Sequence, residues 1–131
     1  MQFMTRKEVY DKVMNHLAGM SQPSVNSDGK CAYRGKGGRM CAVGCLIPDN
    51  VYNSGIEGTP VRWIGGMYLP GVDMYDEKLL AFIAMAQHVH DRHDKWRPHR
   101  KGMYAKAYNG LVKYAKELCL LGTERATSAG P

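Results

Sequence analysis

The chain has 131 residues, the size of one domain, and 18 Lys and Arg against 12 Asp and Glu give it a net charge of +6. Hydrophobic residues at 44% can fill one core, and charged residues at 23% are ordinary for a soluble globular chain. No stretch approaches the roughly 18 apolar residues of a membrane span, and no apolar run follows Arg6 and Lys7, so neither a membrane anchor nor a secretory signal is expected.

The first expected element is a helix over 5–18. Thr5 and Glu8 have the spacing of a capping box, Val9, Val13 and Leu17 recur at i, i+4 and i+8, and Gly19 is placed to end it. Residues 21–29 read as a loop. Two short strands, 31–34 and 39–43, joined by Gly35-Lys-Gly-Gly38, then suggest a β-hairpin, although 42–46 is also a candidate helix start because Gly44 suits a strand poorly. Residues 55–71 hold five Gly and two Pro and read as irregular, with one short strand over 61–64 and Trp63 as a core anchor. A helix over 76–93 follows, with Leu79, Leu80, Phe82, Ile83, Ala86, Val89 and His90 in register and Asp76 and Glu77 at its positive end. The last helix is expected over 103–121, with Cys119 buried on its apolar side and Gly122 after it. The fold class is therefore α+β: three helices on a small β-hairpin or sheet, one domain over 1–122, and a disordered tail over 123–131.

Charge is segregated along the chain. Asp49, Glu57, Asp73, Asp76 and Glu77 are opposed only by Arg62, whereas Lys30, Arg34, Lys36 and Arg39 form one basic stretch and Arg92, Lys95, Arg97, Arg100, Lys101 and Lys106 another. Such patches favour anionic partners: nucleic acid, nucleotides or an acidic protein face. They define a binding surface of Tyr33, Arg34, Lys36 and Arg39 at the hairpin, with Lys95, Trp96, Arg97, Arg100 and Lys101 beyond the long helix. Arg and aromatic side chains dominate protein hot spots and also stack on bases.

The four cysteines, Cys31, Cys41, Cys45 and Cys119, are expected as reduced thiols in a cytosolic setting. One chemical reading is a thiol enzyme with Cys31 as nucleophile, His90 as base and Asp91 behind it. Adjacent helical side chains point about 100° apart, which makes Gln87 a better-placed neighbour of His90 than Asp91. Another reading is a zinc site formed by Cys31, Cys41, Cys45 and His90, although the usual Cys-x2-Cys spacing is absent. No other cofactor is expected. The competing expectation is that the cysteines are small core residues and that His90 buttresses the hairpin through a hydrogen bond.

The densest pattern is Cys31-Ala-Tyr-Arg34 followed by Gly38-Arg-Met-Cys-Ala-Val-Gly-Cys-Leu-Ile-Pro-Asp49, then Tyr52 and Glu57-Gly58, and later Gln87, His90, Asp91 and Trp96. This arrangement resembles a family of small uncharacterised proteins encoded by tailed bacteriophages, over roughly residues 5–121; the His- and Arg-rich run around 94–101 departs from the pattern. The resemblance implies a phage origin and the host-cell cytoplasm. It also suggests a protein that binds and inhibits or redirects a host complex, one of defence or nucleic-acid handling among them. The expected partner is a host protein or protein–nucleic-acid complex, with nucleic acid itself as an alternative and no membrane; the sequence leaves oligomeric state open.

Overall fold

The computed structural model describes residues 2–99 and 101–121. The Thr5 hydroxyl accepts a hydrogen bond from the Glu8 N–H at 3.0 Å, and the Glu8 carboxylate accepts one from the Thr5 N–H at 2.7 Å. This reciprocal cap starts α1 (Arg6–Ala18), which buries Val9, Val13, Met14 and Leu17. After a one-turn α2 (Val61–Ile64) come α3 (Glu77–His90) and α4 (Ala105–Glu117). The core joins the α1 face to Leu79, Phe82, Ile83 and Ala86 of α3, to Leu111 and Ala115 of α4, and to Val43, Leu46, Leu69 and Val72 from the irregular middle.

Asp76 ties two of these helices together. Its carboxylate caps α3 by accepting from the Leu79 N–H at 3.3 Å, and it accepts from the Arg6 guanidinium at 2.7 and 3.1 Å. The Asp76 side chain is 2% exposed, so a charge-assisted pair fixes the start of α1 against the start of α3.

The expected α+β class is corrected: the described residues form four helices and no β-strand. Lone antiparallel pairings join Val25 to Cys31, Arg34 to Met40 and Trp96 to Met103. The 31–43 segment does fold back on itself, with Gly35 N–H donating to Arg39 O at 2.9 Å and Cys41 N–H to Tyr33 O at 3.4 Å. No ladder grows from it, because side chains take the neighbouring backbone donors. The Glu57 carboxylate accepts from the Tyr33 and Arg34 N–H groups at 2.9 and 3.1 Å, and Gln87 Oε1 accepts from Val43 N–H at 3.1 Å. Lys36–Gly38 and Gly44–Leu46 are single 3₁₀ turns. Gly44 is required by close approach: a Cβ there would lie 2.0 Å from the Tyr33 carbonyl oxygen.

Two further expectations change for geometric reasons. Residues 61–64 are a helical turn and not a strand, so Val61 and Ile64 share the buried side while Trp63 turns outward and is 79% exposed. Trp63 is not a core anchor. Cys119 is exposed and not buried, because α4 ends at Glu117. Cys119 takes a left-handed conformation (φ 61°), and the Leu120 N–H reaches back to Ala115 O at 3.0 Å. That bond has the pattern of a Schellman stop, here without glycine, and it seats Leu120 in the core. The expected role of Gly122 and the expected tail fall outside the described residues.

Candidate functional site

Two regions gather the residues singled out by the sequence. The first is the end of α3. His90 is fully buried, and the Ser24 N–H donates to its Nε2 at 2.9 Å. A nitrogen that accepts carries no proton, so these partners assign the neutral ring's proton to Nδ1. There it donates to Asp91 Oδ1 at 2.7 Å. Asp91 can do this because it is the C-cap of α3, beyond the last helical turn; the expectation that Asp91 is poorly placed is thereby corrected. Gln87 donates to Asp91 at 2.7 Å rather than to the imidazole. Trp96, expected on the binding surface, is 7% exposed: its indole N–H donates to His90 O at 2.8 Å and its ring meets the imidazole edge-on at 5.6 Å.

Cys31 lies beside this cluster, with one ligand-type atom each of Cys31, His90 and Asp91 within 4.8 Å of one another. The residues chosen for a thiol enzyme are thus brought together, but in an order that does not activate sulfur. The thiol donates to the Asp91 backbone carbonyl at 3.7 Å. Burial, and then the Asp91 carboxylate, push the Cys31 thiol up to about 11. A nucleophilic cysteine needs the opposite shift, and the imidazole that would supply it is held between Ser24 and Asp91.

The four-ligand zinc set is not assembled. Cys41 and Cys45 stand outside the cluster: Cys41 Sγ accepts from the Gly44 N–H at 3.2 Å, and Cys45 Sγ donates to Ala42 O at 3.2 Å. Burial raises Cys41 to about 12 and Cys45 to about 11. Nδ1, which donates to Asp91, could take a metal only by passing its proton to Nε2, where it would collide with the Ser24 N–H. The residues carry a hydrogen-bonded buttress more readily than a metal centre.

The motif residues around 31–58 form a second part of the same scaffold. Tyr33 is 6% exposed and donates to the Thr59 carbonyl. Arg34 donates to Asp49 at 2.8 Å and to Ile47 O at 2.6 Å, and its guanidinium lies 4.9 Å from the Tyr52 ring centroid. Tyr52 donates to Glu57 at 2.5 Å. Burial raises the Tyr33 and Tyr52 phenols to about 12. Tyr33 and Arg34 are therefore internal ties, not a free binding tip; Arg39 donates to Lys36 O at 2.9 Å, and Lys36 is exposed.

The second region is a groove of about 830 Å³ between α3 and α4. Met85 and Val89 of α3 and Tyr104, Leu111 and Tyr114 give it an apolar floor, and Lys95, Arg97, Lys106 and Lys113 stand around it with Asp94 and Glu117. The loop before α4 places the first two cations. Tyr104 N–H donates to Lys95 O at 2.8 Å and Arg97 N–H to Gly102 O at 2.7 Å, while Gly102 N–H donates to Ser21 O at 2.8 Å. The Asp94 carboxyl is held below its usual range by its hydrogen bond from Arg92, and it also pairs with Lys95 at 4.0 Å. Arg97, Lys106 and Lys113 form no ion pair among the described residues.

Of the expected binding residues, Lys95 and Arg97 line this groove, and Lys101 joins Arg97 in a smaller adjoining cleft of about 330 Å³. Arg100 falls outside the described residues. Sequence reasoning missed Met85, Lys113, Gly110 and Tyr114. Their signal was available as apolar and basic positions of α3 and α4 left over after the core face is assigned. Comparison with protein-family models, with curated proteins and with solved structures returned no match. The phage resemblance therefore rests on its motif residues. Among the described residues no helix is long and apolar enough to cross a membrane.

Proposed function

We propose that this is a phage protein that acts by binding, and that the groove between α3 and α4 engages an anionic segment of a host complex, inhibiting or redirecting it. The observation that carries the binding reading is the combination of an apolar floor with cations that stand outside the ion pairs of the described residues. Met85 and Tyr104 are 38% and 42% exposed there, and Arg97, Lys106 and Lys113 form no ion pair among the described residues. An apolar pocket with a few placed polar groups is the usual form of a binding site, and charge around it steers and selects an opposite partner. The Cys31 region supports this reading from the other side, because its hydrogen bonds are spent on holding the 21–43 segment to α3. The phage origin and the host partner rest on the motif resemblance.

The test is affinity capture from bacterial lysate, with and without nuclease. It compares the wild-type chain with a variant carrying Arg97→Glu, Lys106→Glu and Lys113→Glu. The expected result is a protein partner that survives nuclease and is lost in the variant. The same partners for both proteins, or none for either, would remove the groove from the function.

A further inference from the structure

We propose that the α3–α4 groove accepts an acidic amphipathic helix of the partner, which crosses α4 closely at Gly110. The proposal rests on the binding reading above and names the class of ligand.

Gly110 lies in the interior of α4 and lines the groove. Glycine is among the poorest helix formers, so its place there asks for a reason. Conformation supplies none, because Gly110 is not among the residues with positive φ. Internal packing supplies none either: a Cβ built on Gly110 meets nothing within 4 Å. This differs from Gly44, where the fold itself occupies the space. At Gly110 the open space belongs to the groove. Ala107, three residues earlier, also lines it, so α4 shows its backbone there with little side chain in front. How closely two helices approach depends on side-chain size at the contact, and a glycine permits a near approach.

The charges select the ligand's sign and form. Lys106 and Lys113 are seven residues apart, about two helical turns or 10.5 Å along α4, and they bracket Gly110. A helix lying along α4 with carboxylates two turns apart presents one to each. Its apolar side chains between them meet Met85, Val89 and Tyr114 on the floor. Recognition of an amphipathic helix by an apolar groove reads anchors at i, i+3, i+4 and i+7. A single nucleic-acid strand would instead call for exposed aromatic platforms along a cationic track. Here the cations surround an apolar floor, and of the groove's two tyrosines Tyr114 is half-buried and only Tyr104 is exposed, a single platform and not a track.

The probe is a helix-stapled synthetic peptide of about 14 residues, some four turns, with Leu at i, i+3, i+4 and i+7 and Glu on the flanks. A scrambled peptide of the same composition and an oligo-dT of equal charge are the competitors, and fluorescence anisotropy is the readout. The helical peptide is expected to bind at least about tenfold more tightly than either competitor. Gly110→Ala is expected to weaken it by about tenfold while raising Tm, and Gly110→Leu to abolish it while the circular dichroism spectrum stays unchanged. Preference for oligo-dT, equal binding of the scrambled peptide, or unchanged affinity of Gly110→Leu would each overturn the helix proposal. If the lysate partner is still lost on charge reversal, only the class of ligand falls. If charge reversal leaves the lysate partner in place, the groove reading falls with it.

Discussion

The reading of His90 as a buttress is tested by His90→Phe. His90 and Ser24 are both 0% exposed, so deleting Nε2 leaves the Ser24 N–H buried without its acceptor, at a cost of about 1–3 kcal/mol. Losing the Nδ1–H bond adds less, because Asp91 keeps Gln87 at 2.7 Å and its side chain is 38% exposed to water. Phenylalanine retains an aromatic ring against Trp96, so little packing is lost. The total is about 2–3 kcal/mol, and with a urea m-value of about 2 kcal/mol/M the midpoint falls by about 1 M. His90→Gln places an amide oxygen near the former Nε2 position and is expected to recover a large part of that loss. Equilibrium urea unfolding followed by circular dichroism measures both. Wild-type stability in His90→Phe, or loss of partner binding with stability intact, would refute the buttress and return His90 to the list of functional groups.

Other consequences are equally direct. Gly44→Ala drives a Cβ to within 2.0 Å of the Tyr33 carbonyl; backbone must move, and a loss of about 3 kcal/mol or failure to fold is expected in thermal unfolding. Gly110→Ala meets open space and is expected to raise Tm by about 3 °C through helix propensity alone. Arg6→Met leaves the 2%-exposed Asp76 carboxylate without its guanidinium, and a loss of about 3 kcal/mol is expected by urea titration. The cysteines make stability fall in alkali. Their folded values of about 11 for Cys31 and Cys45 and about 12 for Cys41 lie above the ordinary 9.0. The folded chain thus holds these protons more tightly, so the contribution is intact below pH 9 and is lost as pH climbs through 11 to 12. Iodoacetamide labelling of Cys31 is expected to accelerate up to about pH 11, and a plateau near pH 8 would show an activated thiolate.

The helices were legible because their signals are local. Thr5 and Glu8 announced α1, and Asp76 with the Leu79–Ala86 period announced α3; each boundary lies within a few residues of its reading. The expected sheet failed where local alternation met long-range side chains. Residues 31–34 and 39–43 have strand-like composition, but whether they pair depends on who takes their backbone donors. The takers, Glu57 and Gln87, lie at least 23 positions from the donors they serve. Residues 61–64 carry too little periodicity to separate a turn of helix from a strand, and that one choice moved Trp63 from the core to the surface.

The candidate site shows the same division between local and distant information. Cys31, His90 and Asp91 were found as a set, and the structure gathers them; what a residue list could not give is the Ser24 N–H, 66 positions from His90, that fixes the tautomer and with it the role. The groove was half found, through Lys95 and Arg97, because charge density is a property of sequence. Its floor exists only where two helices lie side by side. Gly110 marks the limit most plainly: a glycine in the middle of a helix is visible in any reading of the chain, but its empty surroundings are a fact of the fold. Where the fold leaves space at a position that costs it helix stability, and sets beside it Arg97, Lys106 and Lys113, which form no ion pair among the described residues, the explanation we propose is a ligand that uses both.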